Sequence, residues 1–329
     1  MYKHFWEYVI VFVLIRVSGL RNHVGSDSMV YEYTFYNDIG LLNTFFNGRD
    51  IVDLREPGWE FFMSFCKTLF GSFVVVQIIH ALVLNLLLYS FFKKTTDKVF
   101  TALLISFLII WFEFNFESLR QSLCVAMFLN SLFLLKEKKF LKYVLFSIIA
   151  FSIQNFSIII FLVAPLFLYF PKKILIPSFV IIIIACYLFL DENILNLLVL
   201  GSENLLNDSM QTKVLSYTQS DSYGFQNSNL NGWIKLIAFN IVLPLSVICL
   251  NTQKIKKEKK CQSVNERSIS NMELFNSMIM FYMCLGAIAA KFVILYRFQF
   301  YITPILIVSS TILLYDKKVK SLFTFSFLF

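Results

Sequence analysis

The sequence has little charge and few residues of the kinds that build recognisable catalytic motifs. Only 15% of its 329 residues are charged and 58% are hydrophobic, whereas a soluble chain of this size needs far more charge to cover its surface. Six cysteines without a C-x-x-C spacing and only three histidines predict neither a disulfide framework nor a zinc site. No H-E-x-x-H, G-x-S-x-G or Walker A sequence is present, so the signatures of a metalloprotease, a serine hydrolase and a nucleotide-driven pump are lacking. We expect no metal and no cofactor.

The sequence has long apolar runs instead. They come in blocks of about 15 to 25 residues, the length at which a helix crosses a hydrocarbon core about 30 Å thick. The sequence therefore predicts an all-α polytopic membrane protein with about ten transmembrane helices, in a single transmembrane domain over residues 1–329. The predicted spans are 5–20, 71–92, 99–114, 118–135, 140–153, 156–170, 174–190, 232–250, 272–294 and 298–315.

The charges between these runs predict how the chain is oriented. With the N terminus in the cytoplasm, about two thirds of the 29 basic residues fall in inner segments and about two thirds of the 21 acidic residues in the outer half, as the positive-inside rule requires. Both termini are then cytoplasmic. This topology accounts for the net charge of +8, so the basicity does not indicate a nucleic-acid partner.

Three of the connecting segments are long. Residues 21–70, which include an amphipathic stretch, and residues 191–231 are predicted to be external loops. The Lys-rich residues 253–271 are predicted to form a basic cytoplasmic loop. Because most other cytoplasmic connections are short, we expect the active face to be external.

The most informative polar cluster surrounds Arg120, at the predicted outer end of a span. Arg120 falls in the first turn of the following helix, where the positive end of the helix dipole disfavours a cation. An anion bound there satisfies both the arginine and the helix terminus, and the planar fork of arginine suits a phosphate or pyrophosphate headgroup. The alternative is an ion pair with Glu117, three residues earlier. The two interpretations are compatible if Glu117 orients the arginine for an anion.

Two further clusters follow the first predicted span. Arg21, Asp27 and Tyr31 either form a hydrogen-bonding surface for a sugar or make an ordinary turn at the membrane boundary. Glu56 and Trp59 introduce the amphipathic stretch. Here Trp59 either stacks on a sugar ring or lies against lipid as an interfacial aromatic residue.

The last two clusters lie farther along the chain. Asn155 and Ser157 form a polar break between two apolar runs, and either bind sugar hydroxyls or satisfy the backbone of a turn at membrane depth. Lys291 and Arg297 place positive charge outside against the general rule. An anionic lipid-linked ligand explains this placement, and snorkelling to the interface is the competing interpretation.

The order of these elements resembles the EpsG family of bacterial exopolysaccharide proteins, which is similar to the Wzy-type O-antigen and capsule polymerases. The matching pieces are Arg21 with Val24-Gly25-Ser26-Asp27 and Tyr31, Glu56-Pro57-Gly58-Trp59, Leu119-Arg120-Gln121-Ser122-Leu123-Cys124-Val125-Ala126, Asn155-Phe156-Ser157, and Arg297 with Tyr301. They span positions 21 to 301 in family order. One departure is at position 155, where the family commonly has the His of a His-x-Ser sequence and this chain has Asn, which cannot exchange a proton.

The resemblance implies an integral-membrane glycosyl polymerase at the outer face of the bacterial cytoplasmic membrane. Its substrate is an oligosaccharide repeat unit carried on undecaprenyl pyrophosphate, and its further partners are membrane lipid, a flippase and a chain-length regulator. Three of the residues above are then the catalytic candidates: Arg120, Arg297 and Asp27. The substrate-binding candidates are Arg21, Tyr31, Glu56, Trp59, Gln121, Asn155, Ser157, Lys291 and Tyr301.

Three other functions stay open at this point. A flippase or transporter of the same lipid-linked sugar is expected to carry ionisable residues deep within its spans and an internal repeat, whereas here the charges lie at the outer boundary. A membrane O-acyltransferase that decorates polysaccharide normally needs a histidine in or near a span, and only His80 is so placed. A non-catalytic subunit of a polysaccharide-export complex is compatible with Asn155.

Overall fold

The computed structural model of the chain describes residues 2–42, 56–169, 238–260, 266–289 and 296–314. Within these ranges the chain is helical and contains no β-strand, as the apolar composition predicts, because a helix satisfies its own backbone hydrogen bonds inside a membrane. The chain divides into two compact units. The first comprises Met1–Pro165 and Leu314–Phe329, and the second comprises Leu166–Leu313.

The first unit is a bundle of helices. It begins with α1 (Tyr2–Gly19), α2 (Ser26–Asn37), α3 (Pro57–Phe70) and α4 (Phe73–Thr95). These are followed by α5 (Val99–Ser106), the π-helical turns Phe107–Trp111 and Glu113–Glu117, α6 (Leu119–Lys136), α7 (Phe140–Ile153) and α8 (Ser157–Tyr169), which continues into the second unit. Among the described residues, α4 and α6 are long and apolar enough to cross a membrane, with 23 and 18 residues.

Helix α4 lies at the centre of the first unit and contacts α1, α3, α5 and α6. Four polar side chains of this mainly apolar helix, Gln77, His80, Asn85 and Tyr89, are at most 8% exposed. Each forms a hydrogen bond to a different segment, with partners that include Ser28 in α2, Leu119 in α6, Asn115 in the second π-helical turn and Glu7 in α1. Because an unpaired polar group is costly in an apolar interior, these bonds fix how the neighbouring elements sit against α4.

The π-helical turns complete a buried amide network with α4. Asn85 Nδ2 donates to Asn115 Oδ1 at 3.1 Å, and Trp111 Nε1 donates to Asn85 Oδ1 at 3.3 Å. Asn115 Nδ2 in turn donates to the carbonyl oxygen of Trp111 at 3.0 Å. The polar atoms of both amide side chains are therefore paired, and the widened turns that bring them together lead directly into the start of α6.

Lys67 in α3 joins α2 to α3. Its ammonium group donates to the carbonyl oxygens of Phe35 at 2.7 Å, Tyr36 at 3.1 Å and Ile39 at 2.7 Å, at the C-terminal end of α2. An ammonium group has three N–H donors, so one side chain satisfies three carbonyls at a helix end that attracts positive charge.

The second unit contains the π-helical turn Ala238–Val242, α9 (Leu243–Lys260), α10 (Glu266–Ala289), the single turn α11 (Tyr296–Gln299) and α12 (Thr303–Leu314). Helices α9 and α10 pack together, with Asn251 Nδ2 donating to Asn276 Oδ1 at 3.0 Å. Gln299 is 1% exposed, and its Nε2 donates to Asn240 Oδ1 at 2.8 Å. Side-chain amides therefore connect the elements of this unit as well.

The apolar runs located most of the described helices. The predictions at 71–92, 118–135, 140–153 and 156–170 agree with α4, α6, α7 and α8 to within a few residues. The predicted helix at 174–190 and the predicted loop at 191–231 lie outside the described residues. The number of spans and their orientation stay predictions.

Three parts of the structure differ from the sequence-based expectation. The segment 21–70 contains α2 and α3, where only an amphipathic stretch was expected. Helix α9 continues to Lys260, well past the predicted end at 250, because Lys and Glu favour helix as much as apolar residues do. The predicted helix 298–315 is divided between α11 and α12, since Pro304 has no N–H group and fits the first turn of a new helix.

Two glycines with positive φ provide a test of this packing. Gly25 has φ +91°, and a Cβ there would overlap the carbonyl oxygen of Phe116, whereas Gly71 has φ +66° with no atom within 4 Å of a Cβ. We expect Gly71→Ala to cost only the left-handed conformation, about 1–2 kcal/mol, and Gly25→Ala to cost clearly more. The measurement is the thermal unfolding midpoint of each purified variant. Equal shifts would contradict the close approach of Gly25 to Phe116.

Candidate active site

The first turn of α6 has no side-chain cap. Ser118 is the N-cap residue, but its side chain makes no capping hydrogen bond and its hydroxyl donates to the Glu113 carboxylate at 2.7 Å. The N–H groups at the start of α6 therefore lack a side-chain cap, at the end of the helix where the dipole is positive. Arg120 lies in this first turn, and its side chain is 34% exposed.

Arg120 joins three segments of the first unit. Its Nη1 forms an ion pair with the Glu56 carboxylate, and its Nε donates to the Tyr31 hydroxyl at 2.8 Å. The guanidinium also lies over the Tyr31 ring, with its Cζ 5.1 Å from the ring centroid. The acid that pairs with Arg120 is thus Glu56 at the start of α3, and not Glu117, the sequence-near alternative.

Glu56 is placed by the local sequence around it. It is the N-cap residue of α3, followed by Pro57 at the position where a helix best accepts proline. Its carbonyl oxygen accepts from the N–H groups of Trp59 and Glu60, each at 3.1 Å. Its carboxylate makes no capping bond and is 15% exposed, so it is directed towards Arg120 instead.

The same turn of α3 lies against the end of α7. A Cβ at Gly58 would overlap Ser152 Oγ and lie 3.0 Å from the Ser152 carbonyl carbon, so a larger residue here would require Ser152 to move. Ser157, at the start of the next helix, is fully buried, and its neighbours include Cys124, one turn after Arg120 in α6. Its Oγ has no hydrogen-bond partner among the described residues, and Asn155 is half-buried in the turn before it.

The position of Trp59 agrees with neither sequence-based interpretation, contact with lipid or stacking on a sugar ring. It is 3% exposed, so its ring neither faces lipid nor offers a platform for a sugar. The ring packs edge-to-face on Tyr31, with the centroids 5.4 Å apart, and also contacts Phe62 at 5.6 Å. Its Nε1 is buried without a hydrogen-bond partner in the described part of the chain. Trp59 therefore supports Tyr31 from behind, and an aromatic residue in an amphipathic stretch does not reveal this from sequence.

Arg21 is a second cation, and it is buried. It is 6% exposed, donates through Nη1 to the Ser18 carbonyl at 2.7 Å and through Nη2 to Ser28 Oγ at 3.3 Å. No carboxylate pairs with it among the described residues. Burial lowers the pKa of Arg21 to about 10, so the side chain still carries its charge at neutral pH.

Helix α2 contacts both cations with one face. Ser28 contacts Arg21 and Tyr31 contacts Arg120, and residues three apart on a helix lie on the same side, about 5–6 Å apart at Cβ. Gln77 Nε2 also donates to Ser28 Oγ at 3.4 Å. Sequence reasoning did not select Ser28 or Gln77, although a polar residue inside a predicted span, such as Gln77, is a usable signal.

The other candidates are more dispersed. Asp27 is half-buried in the first turn of α2, and Gln121 is 4% exposed, next to Arg120 in α6. In the second unit, Arg297 is exposed in α11 and Tyr301 is 2% exposed. Lys291 lies outside the described residues. In the part of the chain that the structure describes, no group of three or more His, Cys, Asp or Glu side chains is placed to hold a metal ion.

The family model described as EpsG family matches residues 4–329. The chain belongs to the EpsG family. This confirms the resemblance seen in the ordered motifs, and the EpsG match covers every residue of the cluster around Arg120. Membership of the EpsG family, together with the apolar helices, identifies a membrane protein of bacterial polysaccharide biosynthesis. Comparisons with curated proteins and with solved structures return no match.

The contact between Arg120 and Tyr31 can be tested by measuring the stability of two variants. Tyr31→Phe removes the acceptor of Arg120 Nε but keeps the ring, so we expect a loss of about 1 kcal/mol. Tyr33→Phe is the matched control, because Tyr33 is on the same helix and is 66% exposed; we expect no change. Thermal unfolding of the purified variants measures both. A Tyr31→Phe midpoint equal to that of the control would contradict the hydrogen bond.

Proposed function

We propose that this EpsG family member polymerises lipid-linked oligosaccharide repeat units. In this proposal it transfers the growing glycan from undecaprenyl pyrophosphate to the next repeat unit at the outer face of the cytoplasmic membrane, and so makes O-antigen, capsule or exopolysaccharide. The observation that carries the proposal is the position of Arg120, in the uncapped first turn of α6 and oriented by Tyr31 and Glu56.

Arg120 has unused capacity to bind an anion. A guanidinium has five N–H donors, and the bonds to Tyr31 and Glu56 engage Nε and Nη1. Its Nη2 makes no hydrogen bond with the described residues. A phosphate that reaches Nη2 also meets the N–H groups at the start of α6, which favours a pyrophosphate over a neutral ligand. Arg297, in the second unit, is proposed on the basis of the sequence as a further catalytic cation.

Glu56 occupies the place of an anion beside Arg120 when no substrate is bound. A pyrophosphate carries more charge than one carboxylate, so we expect it to compete with Glu56 for Arg120. Displacement of the ion pair would leave the Glu56 carboxylate next to the donor. It then becomes available to the acceptor hydroxyl at the moment when the donor is bound.

The proposed reaction is a displacement at the anomeric carbon of the donor glycan. The terminal hydroxyl of the acceptor attacks this carbon, and the bond from the carbon to the pyrophosphate oxygen breaks with its electron pair remaining on the oxygen. Arg120 stabilises the charge that develops on the leaving group. Glu56 or Asp27 orients the hydroxyl and takes its proton, and a good leaving group means that a strong base is not needed. The proposal requires no proton exchange at Asn155.

The decisive experiment is deletion of the gene in its own bacterium and complementation with variants. We expect Arg120→Ala to lower long-chain polymer by about 100-fold or more, the loss typical of removing one charge-stabilising donor, with single repeat units accumulating on the lipid at the outer face. Lys139→Ala is the matched control, since Lys139 forms an exposed ion pair with Glu137 at 2.6 Å; chain length should not change. Wild-type chain length in a stably inserted Arg120→Ala variant would refute the role of Arg120.

A paired variant separates ligand binding from a purely structural ion pair. Arg120→Gln with Glu56→Gln replaces the charged contact by two amides that can hydrogen bond to each other. We expect this variant to insert in the membrane at the wild-type level and to make no long polymer. Recovery of polymer in the double variant would mean that the contact, and not the charge of Arg120, is what the protein needs.

The same deletion experiment distinguishes the other functions. Repeat units trapped on the inner leaflet would indicate a flippase. Full-length polymer that lacks only an acyl group would indicate a decorating enzyme. Normal polymer that is not exported would indicate a non-catalytic subunit of an export complex.

A further inference from the structure

His80 is a buried histidine with no part in the reaction proposed above. It lies in α4 and is 1% exposed. Its Nε2 is 2.9 Å from the carbonyl oxygen of Leu119 and 3.2 Å from Ser122 Oγ. Leu119 and Ser122 are both in the first turn of α6, on either side of Arg120 in the sequence. His80 therefore contacts the turn that carries Arg120 without contacting Arg120 itself.

The hydrogen bonds determine the form of this imidazole. A carbonyl oxygen only accepts, so Nε2 carries the proton and donates to Leu119. The Ser122 hydroxyl donates to the same carbonyl at 2.9 Å, which leaves its oxygen able to accept from His80. Nδ1 has no partner among the described residues. A second N–H on that atom would be a buried donor without an acceptor, so the ring is neutral and acts as a single donor.

The first turn of α6 is not stabilised by a capping hydrogen bond of its own. Its N-cap residue, Ser118, makes no capping bond to the turn, and the preceding segment is a π-helical turn. A bond from α4 to the first carbonyl of α6 fixes the rotation of this turn about the helix axis. That rotation sets the direction in which the side chain of Arg120 leaves the helix.

We propose that His80 is a positioning residue for Arg120. Its Nε2–H holds the Leu119 carbonyl and thereby keeps the guanidinium of Arg120 in line with Glu56 and Tyr31. A displacement of about 1 Å in a catalytic group can lower a rate by about 100-fold, so the loss of one hydrogen bond that positions Arg120 is expected to have a measurable effect on the rate. The inference rests on the proposed role of Arg120 in catalysis.

The inference can be tested with substitutions of His80 that place an N–H group at different positions. The amide nitrogen of Gln reaches the position of His Nε2, whereas the amide of Asn lies near Nδ1 and Leu has no donor. We expect His80→Gln to retain kcat within a few-fold and to keep the wild-type pH profile. His80→Leu and His80→Asn should lower kcat by about 10- to 100-fold with KM nearly unchanged, because binding of the lipid and glycan is distributed over other residues.

The assay uses the purified full-length protein in liposomes with lipid-linked repeat units, and records kcat and KM across pH. Tyr89→Phe is the matched control, since it removes another buried hydrogen bond of α4, at 3.3 Å to Glu7; kcat should not change. Thermal unfolding midpoints show that each variant is folded. A folded but inactive His80→Gln, or a shifted pH profile in that variant, would overturn the positioning role in favour of proton exchange.

Arg120→Ala assayed in parallel separates this inference from the function on which it rests. If Arg120→Ala abolishes polymerisation while His80→Leu keeps the wild-type kcat, only the positioning role is overturned. If Arg120→Ala polymerises like the wild type, both proposals are overturned. Loss in Arg120→Ala and His80→Leu with rescue by His80→Gln is the expected result.

Discussion

The first unit depends on hydrogen bonds between polar side chains that are buried among apolar ones. Helix α4 brings four such groups into the interior, and each finds its partner in a different segment of the chain. Because leaving any of them unpaired is costly, the helices around α4 have little freedom to slide or rotate. Hydrophobic burial alone does not give this precision, since lipid solvates an apolar helix face as well as another helix does.

The charge around α2 follows from that arrangement. Arg21 donates to Ser28 Oγ, which also accepts from Gln77. Arg120 lies in the first turn of α6, directly after the π-helical turns. One carboxylate, that of Glu56, lies between the arginine of α6 and the start of α3. Arg21 has no carboxylate partner among the described residues, whereas Arg120 is paired with Glu56.

The sequence allowed some of this to be predicted and not the rest. Long apolar runs locate α4, α6, α7 and α8, because the length of a run is a local property. Arg120 was selected for a similar reason, since an arginine in a first helical turn is unfavourable without a partner. Its pairing with Glu56 was not foreseen, because sequence spacing favours Glu117 and the true partner is brought in by the packing of α3. Helices α2 and α3 have too few consecutive apolar residues to be seen as runs. The orientation of Trp59 depends on its packing against Tyr31 and Phe62.

The attachment of α2 at both of its ends affects which sequence changes the protein can accept. Ser28 restrains the beginning of the helix and the ammonium group of Lys67 its end, while Met29, Val30 and Tyr33 are 48%, 61% and 66% exposed. Substitutions on the exposed side of α2 therefore leave the contacts of Tyr31 with Arg120 in place, because both ends of the helix are held by other residues.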